Sequence, residues 1–216
     1  LDMDEEISII NSKTRNEKIK DFFIEKRKLL FSIIIIFILI LVSFYSFQIY
    51  KNKEIKIIST KYNNAIIKYN NGDKFQVTNE MKEIVNRKNP TYSPLAIYFL
   101  IDNNLIENNN EINELFDIII NKTSLDLEIK NLIIFKKGLY NADFASESEL
   151  LNILNPIINS NSVWKSHALY LLAEYFFSKK EKQKSKEFYN QILNVENANQ
   201  DLVKEAKKRL NRDLSD

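Results

Sequence analysis

Two patterns of apolar residues divide the chain. From Leu29 to Tyr50 nearly every residue is apolar and none is charged, whereas after Lys51 apolar residues recur every three or four positions among polar ones. The first pattern is typical of a helix surrounded by an apolar medium, and the second of amphipathic helices. Segments that alternate like strands are few, so the sequence predicts an all-α protein.

The segment from Leu29 to Tyr50 has the length of a transmembrane helix. About 22 residues at 1.5 Å each give roughly 33 Å, close to the hydrocarbon thickness of about 30 Å. Most of these residues are Leu, Ile, Phe or Val, so membrane insertion is favoured by about 5 to 9 kcal/mol. The aromatic residues Phe44, Tyr45 and Phe47 are typical of the interface where a helix leaves the bilayer. We therefore predict an uncleaved signal anchor.

Two alternatives stay open for this segment. A cleavable signal peptide has an apolar region of about 7 to 15 residues followed by small residues, but here the apolar run continues into aromatic residues. A buried core helix would need the rest of the chain to enclose it, and that remainder is rich in polar residues. Both alternatives fit the pattern less well than a membrane anchor.

The anchor predicts three parts of the chain. These are a short cytoplasmic tail at 1–28, the transmembrane helix at 29–50 and a helical domain at 51–216. Lys26, Arg27 and Lys28 lie at the start of the span, and basic residues are slightly more frequent before the span than just after it. By the positive-inside rule, this asymmetry favours a cytoplasmic N-terminus.

Turn signals divide the helical domain. Gly72, which follows two asparagines, suits the left-handed end of a first helix. A second helix is predicted over residues 78–87, and Pro90 and Pro94 separate it from a third that begins near Ser93. The apolar side of the first helix is formed by Ile57, Ile58, Tyr62, Ala65, Ile66 and Tyr69.

Helix pairs recur with a period of about 35 residues, which is typical of tetratricopeptide repeats. In the clearest pair, the small residues Ala173 and Ser185 allow two helices to approach closely. The larger residues of that pair are Leu169, Leu172, Phe176, Tyr189 and Ile192. One period upstream, Ile134, Gly138, Leu150, Leu154 and Ile157 keep one of the two small residues. A further shift reaches Leu95, Tyr98, Ile101, Leu115 and Ile118, where the pattern is degenerate. The predicted fold is an N-terminal single transmembrane helix followed by a TPR-like helix-hairpin solenoid, with an irregular helical bundle as the alternative.

This order of features resembles the YfgM-like ancillary subunits of the bacterial SecYEG translocon. The segments that carry the resemblance are 19–23, the apolar span, 62–65, Lys88 to Ala96, and the helix pairs up to about Ile192. The resemblance implies a protein of the bacterial inner membrane with a cytoplasmic N-terminus and a periplasmic TPR-like domain. It also implies binding to the SecYEG translocon and to a PpiD-like periplasmic chaperone. The sequence departs from the family where alanines expected at helix contacts are Ile, Asn or Leu.

Charge and composition exclude several other functions. Lys and Arg number 31 against 29 Asp and Glu, and a net charge of +2 gives no field that would predict nucleic-acid binding. The absence of cysteine excludes disulfides, thiolate zinc sites and a cysteine nucleophile. A single histidine, His167, excludes a His-pair metal site, and two separated glycines exclude a phosphate-binding loop.

The sequence therefore predicts no enzyme, and no catalytic, cofactor-binding or metal residue. His167 and Trp164 are expected to pack between helices. Glu147, Glu149 and Glu174 are expected on solvated helix faces. The lysine-rich runs near 179–184 and 204–209 are expected on a solvated surface and on a closing helix that caps the solenoid.

Two functions follow from these features. The first is a membrane-anchored scaffold beside the translocon, whose concave face binds a partner or an emerging chain and assists periplasmic chaperone action on translocated proteins. The second is a membrane-bound stress-signalling regulator that acts through the tail at 1–28. The span lacks a small-xxx-small motif, so pairing of the anchors is not predicted, and the sequence specifies no oligomeric state.

Overall fold

The computed structural model describes residue 17 and residues 20–214. This part of the chain is all-α, with no strand. The helices with their bounds are α1 (Arg27–Asn70), α2 (Lys74–Asn86), α3 (Tyr92–Asp102), α4 (Asn109–Lys122), α5 (Leu127–Asn141), α6 (Glu147–Ile158), α7 (Lys165–Ser178), α8 (Lys182–Leu193) and α9 (Gln200–Arg212). Residues 20–25 are also helical and end at a turn at Lys26. Most of the predicted tail at 1–28 lies outside the described residues.

The chain divides into two compact units, Leu1–Ile57 and Ile58–Asp216. Among the described helices, α1 is the one that is long and apolar enough to cross a membrane, and its apolar stretch lies in the first unit. Its apolar side chains are exposed; Phe37 is 59% exposed and Tyr45 is 70% exposed. A core helix of a soluble protein would bury such side chains, so the alternative of a buried core helix is wrong for the described chain.

The turn between α1 and α2 shows where the sequence prediction succeeded and where it failed. As predicted, α1 ends at Asn70, and Gly72 has the positive φ of 95° that favours glycine. The second helix, however, begins at Lys74 rather than at residue 78. The Asp73 carboxylate accepts the backbone N–H of Gln76 at 3.2 Å, and this N-cap starts the helix one turn earlier.

In the second unit the helices pack in chain order. Each helix from α2 onward contacts the next one, and further contacts join α2 to α4, α5 to α7 and α7 to α9. Among the described helices, α4 and α5 form the one closely packed pair that joins α2–α4 to α5–α9. The interface between α4 and α5 is therefore the junction between the two halves of this unit.

The predicted helix pair at the C-terminal end is confirmed as α7 and α8. All its predicted apolar residues are buried, and the Ser185 hydroxyl donates to the Ala173 carbonyl at 2.8 Å. The pair one period upstream is confirmed as α5 and α6, where Gly138 lies directly against Leu154.

The repeat positions on α3 are buried only in part, since Tyr98 and Ile101 pack against the core but Leu95 does not. Leu95 is 40% exposed, and the buried apolar residues are Ala96, Ile97 and Leu100. The fully buried Ser93 sets this face, because its hydroxyl lies 2.9 Å from the carbonyl of Ile84 and 3.1 Å from that of Val85. A constant repeat period does not anticipate this contact between Ser93 and α2.

Candidate functional site

A groove lies between α4 and α6, with α5 as its floor. It consists of two cavities of about 490 and 260 Å³ that share Lys137, Asn152 and Ile153 in their linings. In the described chain α4 and α6 do not pack closely against each other, so the space above α5 stays open. We call this space the α4–α6 groove.

Helical spacing places polar residues on both walls. On α4 the lining residues lie three and four positions apart, which puts them on one side of the helix. They are Asn110, Asn113, Asp117 and Asn121. The wall on α6 has the same spacing and is formed by Glu149, Asn152, Ile153 and Pro156. Apolar surface at the bottom comes from Ile120 and Ile134.

Three polar pairs hold the α4 wall to the floor. The carboxamides of Asn113 and Asn141 donate to each other at 2.9 and 2.8 Å. The Lys137 ammonium donates to the Asp117 carboxylate at 2.8 Å, and its side chain is only 14% exposed. Asn109 lies one turn before Asn113 on α4. Its carboxamide accepts a hydrogen bond of 2.7 Å from the Tyr140 hydroxyl. The partners are fixed to each other, so the floor is a rigid surface.

Other carboxamides in the groove are free to bind a ligand. Asn110, Asn121 and Asn152 are exposed, and their side chains have no hydrogen-bond partner within residues 20–214. A carboxamide offers one carbonyl acceptor and two N–H donors. Both walls of the groove therefore present donors together with acceptors.

The α6 wall also carries a main-chain acceptor. Pro156 lies inside α6, and proline has no N–H to donate to the carbonyl four residues earlier. That carbonyl belongs to Asn152, which lies on the same side of the helix as Pro156 and lines the groove with it. The Asn152 carbonyl therefore lacks its usual helical donor, and the ring of Pro156 takes up the space in which that donor would lie.

The charged groups that line the groove each have a hydrogen-bond or ion-pair partner within the described chain. Lys137 is paired with Asp117, and the Glu149 carboxylate accepts from the hydroxyl and the backbone N–H of Ser146. These two hydrogen bonds lower the pKa of Glu149, so it stays ionised as the capping residue of α6. In the described part of the chain no group of three His, Asp or Glu could hold a metal ion. The groove thus combines free carboxamides and the ionised Glu149 with apolar surface at Ile120 and Ile134.

His167 and Trp164 lie between α5 and α7, where they pack as predicted. The Trp164 ring stacks on Phe135 at 5.8 Å with an interplanar angle of 19°, and His167 contacts both rings. Burial lowers the pKa of His167, which favours its neutral form. This cluster joins two neighbouring hairpins.

Glu147 and Glu174 keep 40% and 30% of their side chains exposed, and each also forms contacts with other helices that the sequence did not predict. Glu147 accepts from the Lys184 ammonium at 2.7 and 2.8 Å, which ties α6 to α8. Glu174 pairs with Arg209 at 2.6 Å and accepts from the Tyr189 hydroxyl, which ties α7 to α9 and α8. Lys184 and Arg209 lie more than thirty positions along the chain from their glutamate partners. The spacing of residues along one helix therefore does not reveal these pairs.

Comparison of the chain with protein-family models, with curated proteins and with solved structures finds no match. The α4–α6 groove and the exposed apolar part of α1 are the features from which a function is proposed.

Proposed function

We propose that the chain is a membrane-anchored, TPR-like scaffold that binds a polypeptide partner in the α4–α6 groove. The observation that carries this proposal is the free carboxamides on both walls, together with apolar surface from Ile120, Ile134 and Ile153. A polypeptide presents N–H donors, carbonyl acceptors and apolar side chains together, and all three have counterparts in the groove. Packing of the helices in chain order supports the solenoid architecture of the scaffold.

Site-specific photo-crosslinking in living cells tests the use of the groove. A photoreactive residue at Asn152 should crosslink to another polypeptide, while the same residue at Asn190 should not. Asn190 is a matched control because it is also an exposed asparagine on a helix, but it lies on α8 outside the groove. Equal crosslinking at the two positions, or none at Asn152, contradicts the proposal.

In the proposed topology, α1 crosses the bacterial inner membrane with its N-terminus in the cytoplasm. The exposed apolar surface of α1 supports the crossing, and the basic cluster Lys26–Lys28 supports the direction. A reporter that works only in the periplasm should be active when it is fused after Asp216, and a reporter that works only in the cytoplasm should be inactive there. Activity of a cytoplasmic reporter at the same position would reverse the topology.

For the partner, the resemblance to YfgM-like subunits leads us to propose the SecYEG translocon and a PpiD-like periplasmic chaperone. On this proposal, the scaffold holds the chaperone close to proteins that are being translocated. Co-purification of the full chain from mildly solubilised membranes should recover translocon subunits or the chaperone. If the intact chain is recovered without translocon subunits and without the chaperone, these partners are rejected. Binding of a polypeptide in the groove is tested separately by the crosslinking experiment.

A further inference from the structure

Glu149 is the starting point for a more specific inference about the α4–α6 groove. Both hydrogen bonds that its carboxylate accepts from Ser146 end on Oε2, at 2.7 and 2.8 Å. The other oxygen, Oε1, has no partner within residues 20–214, and the side chain is exposed. No basic residue of the described chain pairs with Glu149, so its negative charge is available to a ligand.

The ion pair of Asp117 and Lys137 adds a second acidic group to the groove. The Lys137 side chain is 14% exposed and that of Asp117 is 52% exposed, so a ligand meets mainly the carboxylate of this pair. The ammonium bonds to Oδ1 of Asp117, and Oδ2 has no partner in the part of the chain that the structure describes. Besides these two residues, the charged lining residue of the two cavities is Glu149. Two carboxylates against one ammonium make the groove acidic.

Neutral groups beside Glu149 also suit a cation. Phe144 lines the same cavity and is 47% exposed, with its ring held 5.4 Å from that of Tyr140 in a T-shaped arrangement. The face of an aromatic ring attracts a cation. The carboxamide oxygens of Asn110 and Asn152 are further acceptors in this cavity. Acceptors around an aromatic ring match a guanidinium group, which is planar and carries five N–H donors.

We infer that the α4–α6 groove binds a basic polypeptide segment, with an arginine or lysine side chain in the cavity that Phe144 and Glu149 line. This inference rests on the proposed function and specifies which kind of segment the groove takes. An acidic segment would face two carboxylates, which repel it. A basic segment gains a charged partner that the described chain does not supply to Glu149.

The length of the groove suits a segment with more than one basic residue. Asn110 and Asn121 mark the two ends of the α4 wall, and the eleven positions between them rise about 16 Å at about 1.5 Å per residue. An extended chain covers that distance with about five residues at about 3.3 Å each. Glu149 lines one cavity and Asp117 lines the adjoining one. Two basic side chains of one segment therefore each have a carboxylate to meet.

The inference can be tested with two synthetic peptides and the full chain in lipid nanodiscs. The nanodiscs consist of phosphatidylcholine, which has no net charge, so that the bilayer does not attract the peptides. The first probe is a fluorescent eight-residue peptide of Ala, Ser, Thr and Val with two arginines. The second has citrulline, an uncharged analogue of the same shape, in place of both arginines. We expect the first peptide to bind, and the second to bind at least about tenfold more weakly.

Two glutamine variants identify the carboxylate. Glu149→Gln removes the charge, and the arginine peptide should then bind about three- to tenfold more weakly. Glutamine also completes a capping box with Ser146, so the melting temperature should stay close to that of the wild type. Glu187→Gln is the control, because Glu187 is also an exposed glutamate on a helix but lies on α8 outside the groove. It changes the net charge equally and should bind the peptide as the wild type does.

A leucine variant tests the role of the aromatic ring. Phe144→Leu keeps an apolar side chain but removes the π electrons that attract a cation. The arginine peptide should bind about two- to fivefold more weakly to this variant. Undiminished binding overturns the placement of the basic side chain beside Phe144.

The outcomes separate the inference from the function on which it rests. Equal binding of both peptides, or a loss with Glu149→Gln no greater than with Glu187→Gln, overturns recognition of a basic segment. If the arginine peptide does not bind but Asn152 still crosslinks to a polypeptide, the basic segment is rejected and the groove remains the binding site. Failure of both the peptide and the crosslink rejects the inference together with the proposed function.

Discussion

The hydroxyl of Ser185 donates a hydrogen bond of 2.8 Å to the carbonyl oxygen of Ala173, across the interface between α7 and α8. Both residues are fully buried. Ser185→Ala removes the bond and should lower the free energy of unfolding by about 1 kcal/mol. Ser185→Val also adds volume where the helices touch, and should cost a further 1 to 3 kcal/mol, roughly. Urea unfolding of the two variants measures the difference, and a valine variant as stable as the alanine variant would disprove close approach as the constraint.

The contact between Ser185 and Ala173 was predictable from the sequence, because it depends on two small residues within one hairpin. The end of α1 at Asn70 and the start of α3 near Ser93 were predictable for a similar reason. Glycine and proline restrict the backbone locally, so they mark helix boundaries in the sequence. Contacts between hairpins were not predictable, because no fixed period describes the buried contact of Ser93 with the carbonyls of Ile84 and Val85 on α2.

Gly138 provides a second test of close packing, between α5 and α6. A Cβ on Gly138 would lie 2.5 Å from Cδ2 of Leu154, a side chain that is fully buried. Replacing a helical glycine with alanine normally gains about 1 kcal/mol, but overpacking costs about 1 to 3 kcal/mol. We expect Gly138→Ala to destabilise the protein by about 1 kcal/mol.

A double-mutant cycle checks the cause of that loss. Leu154→Ala alone should cost about 2 to 5 kcal/mol because it leaves a cavity. The added methyl group at residue 138 would partly fill this cavity, so the double variant should lose less than the sum of the single losses. Additive losses would show that the two positions are not in contact.

Tyr98 and Tyr189 should respond in opposite ways to replacement by phenylalanine. The Tyr98 hydroxyl is buried without a hydrogen-bond partner in the described chain, and burial raises the pKa of Tyr98 to about 12. Tyr98→Phe should leave stability unchanged or raise it by up to about 1 kcal/mol. Tyr189→Phe removes a donor to the Glu174 carboxylate and should cost about 1.5 to 3 kcal/mol. Thermal unfolding of both variants at pH 7 measures the two changes in stability. If Tyr98→Phe loses as much stability as Tyr189→Phe, the Tyr98 hydroxyl is not an unpaired buried group.

The end of α9 should make stability depend on acid pH. Hydrogen bonds from Arg212 and Arg209 lower the pKa of Asp213. Because the pKa is lower in the folded state than its unfolded value of about 3.9, the ionised carboxylate stabilises the fold above that pH. The stabilisation is lost as the pH falls through the folded pKa.

The variant Asp213→Asn isolates this contribution. Its melting temperature should lie below that of the wild type at pH 6, and the difference should shrink progressively below about pH 4. Arg209→Gln combined with Arg212→Gln should reduce the same difference by removing the partners of the carboxylate. A difference that is constant from pH 6 to pH 2 would show that Asp213 acts through packing and not through its charge.

The membrane anchor can be tested by charge. Replacing Ile36 and Leu39 with arginine should make membrane insertion less favourable by about 6 to 8 kcal/mol. This cost is comparable to the gain of about 5 to 9 kcal/mol that favours insertion of the wild-type segment. The variant should become extractable from membranes by alkaline carbonate, whereas the wild type should resist. Arginines at Ile57 and Ile67, which are also exposed on α1 but lie beyond the apolar stretch, are the control and should leave the chain in the membrane.

The α4–α6 groove could not be predicted from the sequence, although its residues are visible there. Asparagine is frequent throughout the chain, so the spacing of Asn110, Asn113 and Asn121 did not stand out as a motif. The groove needs three helices in a fixed arrangement, and it opens only because α4 and α6 do not meet. Pro156 was the available signal, since a proline within an apolar helical pattern marks an interrupted hydrogen bond.

Packing in chain order has a consequence for how the protein is made. All closely packed helix pairs of the described chain lie within two positions of each other, so native contacts close short loops, and such proteins fold quickly. Each hairpin can therefore find its neighbours while later helices are still being synthesised. The last to arrive is α9, whose Arg209 meets Glu174 on α7. Until then the apolar surface around Leu169 and Tyr189 is uncovered, which makes a chain truncated before α9 the form most exposed to proteolysis.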